Sequence, residues 1–462
     1  MSFLRTQPAW RVVALIVALD AAAAGAVTSP VNGPELTLRD AVERALREGR
    51  DAKIARLETE QADAAVGQAR SIYWPQAALS SNAGWSNRQD STIDAVNSTN
   101  PQTAQVKRYP LSSLGSNAAW LSVYIDQVLF DLSRWRGVER SELEREAVAV
   151  QEAEQRERIS YTVIEQYVNL LRLERDVAVD AERIRQAEWL DRQAAALLDA
   201  GRALAAEREQ VGLALEEARV QAEQRQHELD DARTALWRAI GGGAGEEPMF
   251  ELAPDSVPAV AAPPQAPTDD AMRTAPELRI LELRRRMGEA SLAAARAEHL
   301  PTLSLRGGYF HYGTKRFDSF ESEVAVGVDL HVPVFSGFKT TNDIEGARVA
   351  LEAARLRYET EREKKRARLK ELAQRLASTQ QQPQLAKRRA QLAAERLRLA
   401  DLALQEQRGN LPDALAARAE ADRTARAAID AELDRVLLWA DLEREAGMLA
   451  TTLVGEPNTA TE

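Results

Sequence analysis

Between Thr37 and Gly49 the apolar residues Leu38, Ala41, Val42, Ala45 and Leu46 recur every three or four positions, the spacing of one helix face. Thr37 stands where it can cap that helix, with Asp40 at the third helical position. A second helix runs from about Asp51 to Ile72 and ends at Pro75, which lacks a backbone donor and disfavours helix in the residue before it. The period then drops to two. In PQAALSSNAGWS, Ala77, Leu79, Ala83 and Trp85 lie on one side, and Gln76, Ser80, Asn82 and Ser86 on the other. WLSVYIDQVLF sets Leu121, Val123, Ile125 and Leu129 against Ser122, Tyr124 and Asp126. PTLSLRGGYFHY sets Leu303, Leu305 and Tyr309 against Thr302, Ser304 and Arg306. VAVGVDLHVPVF sets Val324, Val326, Val328, Leu330, Val332 and Val334 against Gly327, Asp329 and His331. Strict alternation predicts strands with one greasy and one wet face. The stretch from Asn87 to Ala119, rich in Ser, Asn, Thr and Gln, reads as a long exposed loop, and Gly313 to Glu323 as its shorter counterpart.

Helical pattern follows each strand pair. It runs from about Leu132 to the Gly241-Gly242-Gly243 stop with one breaker, Gly201, and again from Thr341 to Gly447 with a breaker at Gly409-Asn410. Ile164, Val168 and Leu171 keep the 4,3 spacing of a packing seam, continued by Ala194, Ala195, Leu197 and Leu198. A helix from Ser133 to Ala200 would span roughly 100 Å. Pro383 should kink or interrupt the second span.

The two halves are one unit written twice. Asp51 to Pro75 aligns without a gap on Glu277 to Pro301, placing Ile54 on Ile280, Leu57 on Leu283, Ala64 on Ala290, Arg70 on Arg296 and Pro75 on Pro301. Farther on, VLF ending at Phe130 matches PVF ending at Phe335 at a shorter offset, so the length difference sits in one loop. So long a period excludes a solenoid repeat. The division expected is a signal peptide at 1–26, a first repeat at 27–242, a Pro-rich linker at 243–270, a second repeat at 271–451 and a loose tail at 452–462.

Four strands with one apolar face cannot close a barrel, and an open edge in lipid strands backbone donors and acceptors. Membrane barrels start at eight strands, so other copies must complete the wall; three copies would supply twelve. Each copy also yields two long helical hairpins, so a trimer would set one helical track beneath each strand. The fold class expected is mainly α with membrane β, internally duplicated: a trimeric twelve-stranded barrel continuing into a helical barrel.

Composition supports this. Charged residues are 28% and aromatics 5% of the 462 residues, a profile of long packed helices. A net charge of −11 argues against a nucleic-acid partner, and the Arg284–Arg286 and Lys364–Arg368 clusters sit among glutamates as solvated helix faces. Arg5 and Arg11, the apolar run Val12 to Leu19 and the small residues to Ala26 have the order of a secretory signal, with cleavage expected near Val27. The chain has no cysteine, so neither a disulfide nor a cysteine-linked lipid is available. No window is apolar for long enough to make a transmembrane helix. His227, His299, His311 and His331 are scattered without ligand spacing, and GGGAG lacks the lysine of a phosphate loop, so no metal, cofactor or catalytic site is expected. Trp85, Trp120, Tyr124, Tyr309, Phe310 and Tyr312 near the strand ends read as an interfacial aromatic belt.

LTLRDAVERAL, WPQAALS, VLFD, LPTLSL and VPVFSGF, in this order and spacing across nearly the whole mature chain, resemble the TolC family of outer-membrane efflux proteins. The resemblance implies a homotrimeric, non-enzymatic channel in outer-membrane lipid that reaches into the periplasm. It also implies a periplasmic adaptor docked at the hairpin tips, an inner-membrane ABC or proton-driven pump, and cargo of small toxic compounds or, in type I secretion, an unfolded polypeptide. By the same resemblance the tips are Gly201, Leu204, Gly409 and Leu411, and Glu207 and Asp413 are acidic residues that narrow the entrance. The second tip departs from the pattern: Asp413 follows its glycine more closely, and Ala416 stands where a further aspartate would be expected. The competing reading of both carboxylates is that of ordinary helix-start residues. Ser122, Asp126, Arg306, Asp329 and His331 would line the barrel lumen. Two rival architectures, a periplasmic adaptor with one helical hairpin and a soluble coiled-coil scaffold, leave the duplicated strand pairs unexplained.

Overall fold

A computed structural model describes residues 35–85, 92–96, 106–110, 117–243, 269–314, 319–406 and 408–455, with 245, 247–253, 257, 258 and 260 between them. The expected signal peptide lies outside the described residues. The first repeat opens with β1 (Glu35–Leu36), α1 (Leu38–Glu48) and α2 (Arg50–Arg70). Thr37 caps α1 as expected, its hydroxyl accepting from the Asp40 amide at 3.1 Å, and the five stripe residues are all buried. A single 3₁₀ turn then leads into β2 (Gln76–Trp85).

The β2–β5 connection corrects the sequence reading. It holds a two-stranded ribbon, β3 (Thr92–Val96) with β4 (Val106–Pro110), before β5 (Asn117–Phe130). The second hairpin is longer than expected, because β7 (Thr302–Thr314) and β8 (Ser319–His331) run through most of the stretch read as loop. β8 also ends early. Pro333 has no amide to offer a ladder, so Val332 and Val334 lie beyond the strand.

β2, β5, β7 and β8 form one antiparallel sheet in that order. β5 runs into α3 (Leu132–Asp199) through Asp131, whose carboxylate accepts from the Arg134 amide at 3.0 Å. After the tip α4 (Ala205–Ala239) returns, followed by β6 (Glu251–Leu252), α5 (Asp269–Thr274) and α6 (Pro276–Ala297), which feeds β7. β8 leads into α7 (Lys339–Ser378) and α8 (Gln382–Gln405), and α9 (Leu411–Ala446) returns to α10 (Leu449–Val454). The break between α7 and α8 falls where Pro383 was expected to interrupt, with the proline in the first turn of α8.

Near the sheet the helices pack in the order α2–α3–α6–α7, the lateral order of the strands they join. Towards the tips the order is α4–α3–α9–α8. The chain therefore forms four tracks. Two are built by end-to-end stacking, α4 under α2 and α9 under α6, and a glycine makes each joint. Gly241, at φ 93°, brings its Cα to the Glu48 backbone, where an added Cβ would sit 3.1 Å from that carbonyl oxygen. Gly447, at φ 70°, leaves room for Thr274 and Pro276, whose nearest atom an added Cβ would meet at 2.7 Å. Both positions need the left-handed backbone and the missing side chain.

The largest core lies at the level of these joints. α1, α3, α4 and α9 bury Val42, Ile164, Tyr167, Leu171, Leu236 and Leu433 there. The Tyr167 hydroxyl lies 3.0 Å from the carbonyls of both Leu36 and Ala253, beneath the parallel β1–β6 pair. Described parts of the expected linker are thus tied down, with Phe250 and Leu252 buried. The tail expected to be loose from Thr452 is helical as far as Val454, since 449–454 form α10 and bury Leu449 and Ala450, and residues 456–462 lie outside the described residues.

Candidate functional site

The sheet has two chemically distinct faces, fixed by register. Leu79, Val123, Tyr309 and Val324 stand in one cross-strand row, and Ala77, Ile125, Gly307 and Val326 in the next. This face is open to the surroundings, Val326 at 73% exposure. The other face brings together three residues expected there. Asp126 stands opposite Arg306, whose Nε donates to Asp126 Oδ2 at 3.0 Å and whose second nitrogen donates to Asp329 Oδ2 at 3.4 Å. Ser122 is fully buried on the same face, its hydroxyl donating to the Ser80 carbonyl at 3.4 Å, and His331 stands opposite Thr302 at the helix end of the sheet.

The aromatic belt divides between the faces. Tyr309 stacks on His311, and both hydrogen-bond Ser322 on the apolar side, a polar cluster suited to a lipid headgroup boundary. Tyr124 and Phe310 stand on the opposite, polar face, edge to face at 5.5 Å. The side chains of Trp85, Trp120 and Tyr312 fall outside the described residues.

At the far end, the tips differ in mechanism. Gly201 has φ 65°, and the amides of Gly201 and Arg202 return to the carbonyls of Leu198 and Leu197 at 2.8 Å, closing α3 in the left-handed manner. Gly409 keeps a negative φ and is small for another reason: an added Cβ would meet Ala403 and Leu404 backbone at 3.1 Å. Leu204 is 68% exposed, but Leu411 is only 3% exposed and packs with Leu190, Ala194, Val211, Leu404 and Ala414. Leu411 is therefore a tip-core residue and not part of an open docking surface. Both expected entrance acids take part in capping. Glu207 accepts from the Leu204 amide at 2.9 Å; the Asp413 amide donates to Asn410 Oδ1 and Asp413 Oδ2 accepts from Asn410 Nδ2, each at 2.8 Å.

Sequence reasoning missed a column of buried ion pairs between the hairpins. Asp180 on α3 accepts from Arg225 Nε of α4 at 3.0 Å and from Arg426 of α9. Nearer the tip, Arg418 on α9 donates to Asp401 on α8 at 2.5 Å while its guanidinium lies 5.3 Å from the Trp189 ring centre. Burial raises the carboxyl groups of Asp176, Asp401 and Asp422 and lowers Arg418, against opposing charges that favour the ionised pairs. The available signal was charge at seam positions, which helical periodicity alone reads as solvated surface. Among the described residues no group of His, Cys, Asp and Glu could hold a metal, and no helix is long and apolar enough to cross a membrane.

A long antiparallel helical array bearing a four-stranded, two-faced sheet is the protomer architecture of outer-membrane channels. The chain superposes on CusC, whose transmembrane channel formation has been described structurally, at TM-score 0.74 with 16% identity over 91% of this chain and 95% of that one. It also superposes on the CmeC outer membrane channel of Campylobacter jejuni (TM-score 0.73, 16% identity, 89% and 86%) and the outer membrane protein VceC of Vibrio cholerae (TM-score 0.69, 15% identity, 89% and 96%). No curated protein sequence matches the chain significantly. Residues 268–448, the second repeat, match the family described as outer membrane efflux protein. The second half of the chain is thus similar to that family, and the superpositions show that the whole chain shares the fold of solved outer-membrane channels.

Proposed function

We propose that three copies of this chain close into a conduit through the outer membrane and periplasm, the passive exit of a tripartite export system. The observation that carries this reading is the matched pair of edges. Among the described residues β2 and β8 are the edge strands of the sheet, each paired on one side alone, and the edge helices beneath them expose apolar residues at seven-residue spacing. On one side these are Leu213 and Val220 of α4; on the other they are Val349 and Leu356 of α7 and Leu385, Leu392 and Leu399 of α8. Heptad spacing is that of a coiled-coil seam, and two different edges on one protomer make a head-to-tail contact that closes into a ring. The valine-rich face then meets lipid and the Asp126–Arg306–Asp329 face lines water.

In this reading the leader is removed at export, the tip surface around Gly201, Leu204 and Gly409 receives a periplasmic adaptor, and a pump in the inner membrane supplies the energy. The cargo is small toxic molecules or a polypeptide of type I secretion. Glu207 and Asp413 narrow the periplasmic end in addition to capping their helices. The purified protein should migrate as a heat-modifiable oligomer and conduct in planar bilayers, with Glu207→Ala or Asp413→Ala raising conductance or changing cation selectivity. A monodisperse monomer that ignores detergent and lipid would overturn the conduit; unaltered conductance and selectivity in both variants would remove the entrance role.

A further inference from the structure

The inward face of the sheet carries more than general polarity. Asp126, Arg306 and Asp329 form one continuous group across β5, β7 and β8, two acids flanking one cation, each side chain between 37% and 46% exposed. A register staple alone would need one acid for one guanidinium. The second leaves each chain with one net negative charge at this level, which the threefold ring of the conduit reading repeats. Directly beside it, one step farther from the helices, the Phe310 ring lies over Gly308 and meets Tyr124 edge to face. Position 308 must be glycine for this, because an added Cβ would sit 2.7 Å from the Phe310 ring. Aromatic rings held on a water-facing wall, against an anionic belt, present two surfaces that attract cations, one by charge and one by the ring quadrupole.

We propose that this belt is a selectivity element inside the barrel, separate from the hairpin tips, and that it favours cationic solutes over anionic ones. The proposal rests on the conduit reading. Because the group is half exposed, its field reaches about one Debye length, roughly 10 Å at 0.1 M salt, so it acts on what passes near the wall and fades in strong salt.

The test is the reversal potential of the full-length oligomer in planar bilayers under a KCl gradient at low ionic strength. D126N/D329N leaves Arg306 alone and should lower the cation-to-anion permeability ratio about two- to fivefold, the scale of a field of order one kT. R306Q breaks the same two ion pairs but leaves two acids, and should raise that ratio. Opposite shifts support the belt, whereas a purely structural staple predicts lost oligomer stability with unchanged or parallel selectivity. A second measurement leaves the group intact. In a cysteine-free chain, S304C places one thiol opposite Asp329 on the same face. A cationic methanethiosulfonate should modify it several-fold faster than an anionic one, after normalising to their rates with a free thiol; equal rates or faster anionic modification would overturn the belt. Wild-type protein that forms no conducting oligomer would instead overturn the conduit reading itself.

Discussion

The two repeats share a plan but differ in their descending track. In the first, α3 runs unbroken for 68 residues from beneath β5 to the tip. In the second, the same path is split into α7 and α8 at Thr379–Gln381, and Arg435 of α9 braces the break, donating to the carbonyls of Gln380 at 3.5 Å and Val260 at 3.2 Å. The strand-to-helix junctions differ as well. Asp131 caps α3 directly, whereas β8 reaches α7 through Gly337 and Phe338, both in the left-handed region. A left-handed phenylalanine is costly for an L-residue, so the second junction holds its geometry against local preference. In the second repeat the interruption coincides with a neighbouring arginine that bonds one carbonyl of the break, Gln380, and ties it to the linker at Val260; the unbroken helix of the first repeat has no such break to brace.

The sharpest challenge to this is a proline in α3. Ala178→Pro, at an exposed position in mid-helix, should cost about 3 kcal/mol or more and lower the thermal midpoint measured by circular dichroism. A smaller change would mean that the first repeat is as tolerant as the second.

Next in size is the clasp that ties the end of the second repeat to the first. Glu157 of α3, buried, accepts from the Leu449 amide at 2.9 Å and the Ala450 amide at 3.2 Å, holding the start of α10. Glu157→Ala should cost about 1–3 kcal/mol by leaving buried amides unpaired. Burial raises this carboxyl from 4.5 to about 7, outweighing the two amide bonds that favour the anion. An acid with a raised folded pKa binds more protons folded than unfolded, so its contribution is full below the unfolded value and is lost as pH rises through about 7. The thermal midpoint of the wild type should therefore fall relative to Glu157→Gln over that rise, and parallel curves would refute the assignment.

Smaller again is Asp131→Ala, which removes the α3 cap and should cost about 1 kcal/mol in denaturant unfolding. Least of all is Pro383→Ala. The amide it restores lies in a first turn that needs no partner, so stability should change by less than about 1 kcal/mol. A large loss there would show that the proline, and not the Arg435 brace, sustains the break.

Much of the fold was legible residue by residue. Thr37, Pro75, Gly201 and Pro383 act locally, through a hydroxyl, a missing amide or a permitted φ, and each marked a boundary that the structure keeps. The two-faced strands were legible because side-chain direction alternates whatever the partner. Leu411 was not, since its burial depends on α3 and α4 arriving beside it. Gly409 marked a breaker in the sequence, but the physical reason for its small size, a close contact with the Ala403–Leu404 backbone, was not legible there.

The sequence alone thus determined the helix boundaries that a cap, glycine or proline marks, which strand face is apolar, and that the unit occurs twice, because these follow from periods and from residues with fixed backbone demands; the β3–β4 ribbon and the full extent of β7 and β8 came only with the structure. Only the tertiary structure decided that Arg306 reaches two aspartates on neighbouring strands, that Asp180 is held by arginines from two other helices, and that glycines 241 and 447 weld stacked helices into continuous tracks. Those outcomes depend on register and on approach between segments hundreds of residues apart in some cases, and no local pattern encodes a distance of that kind.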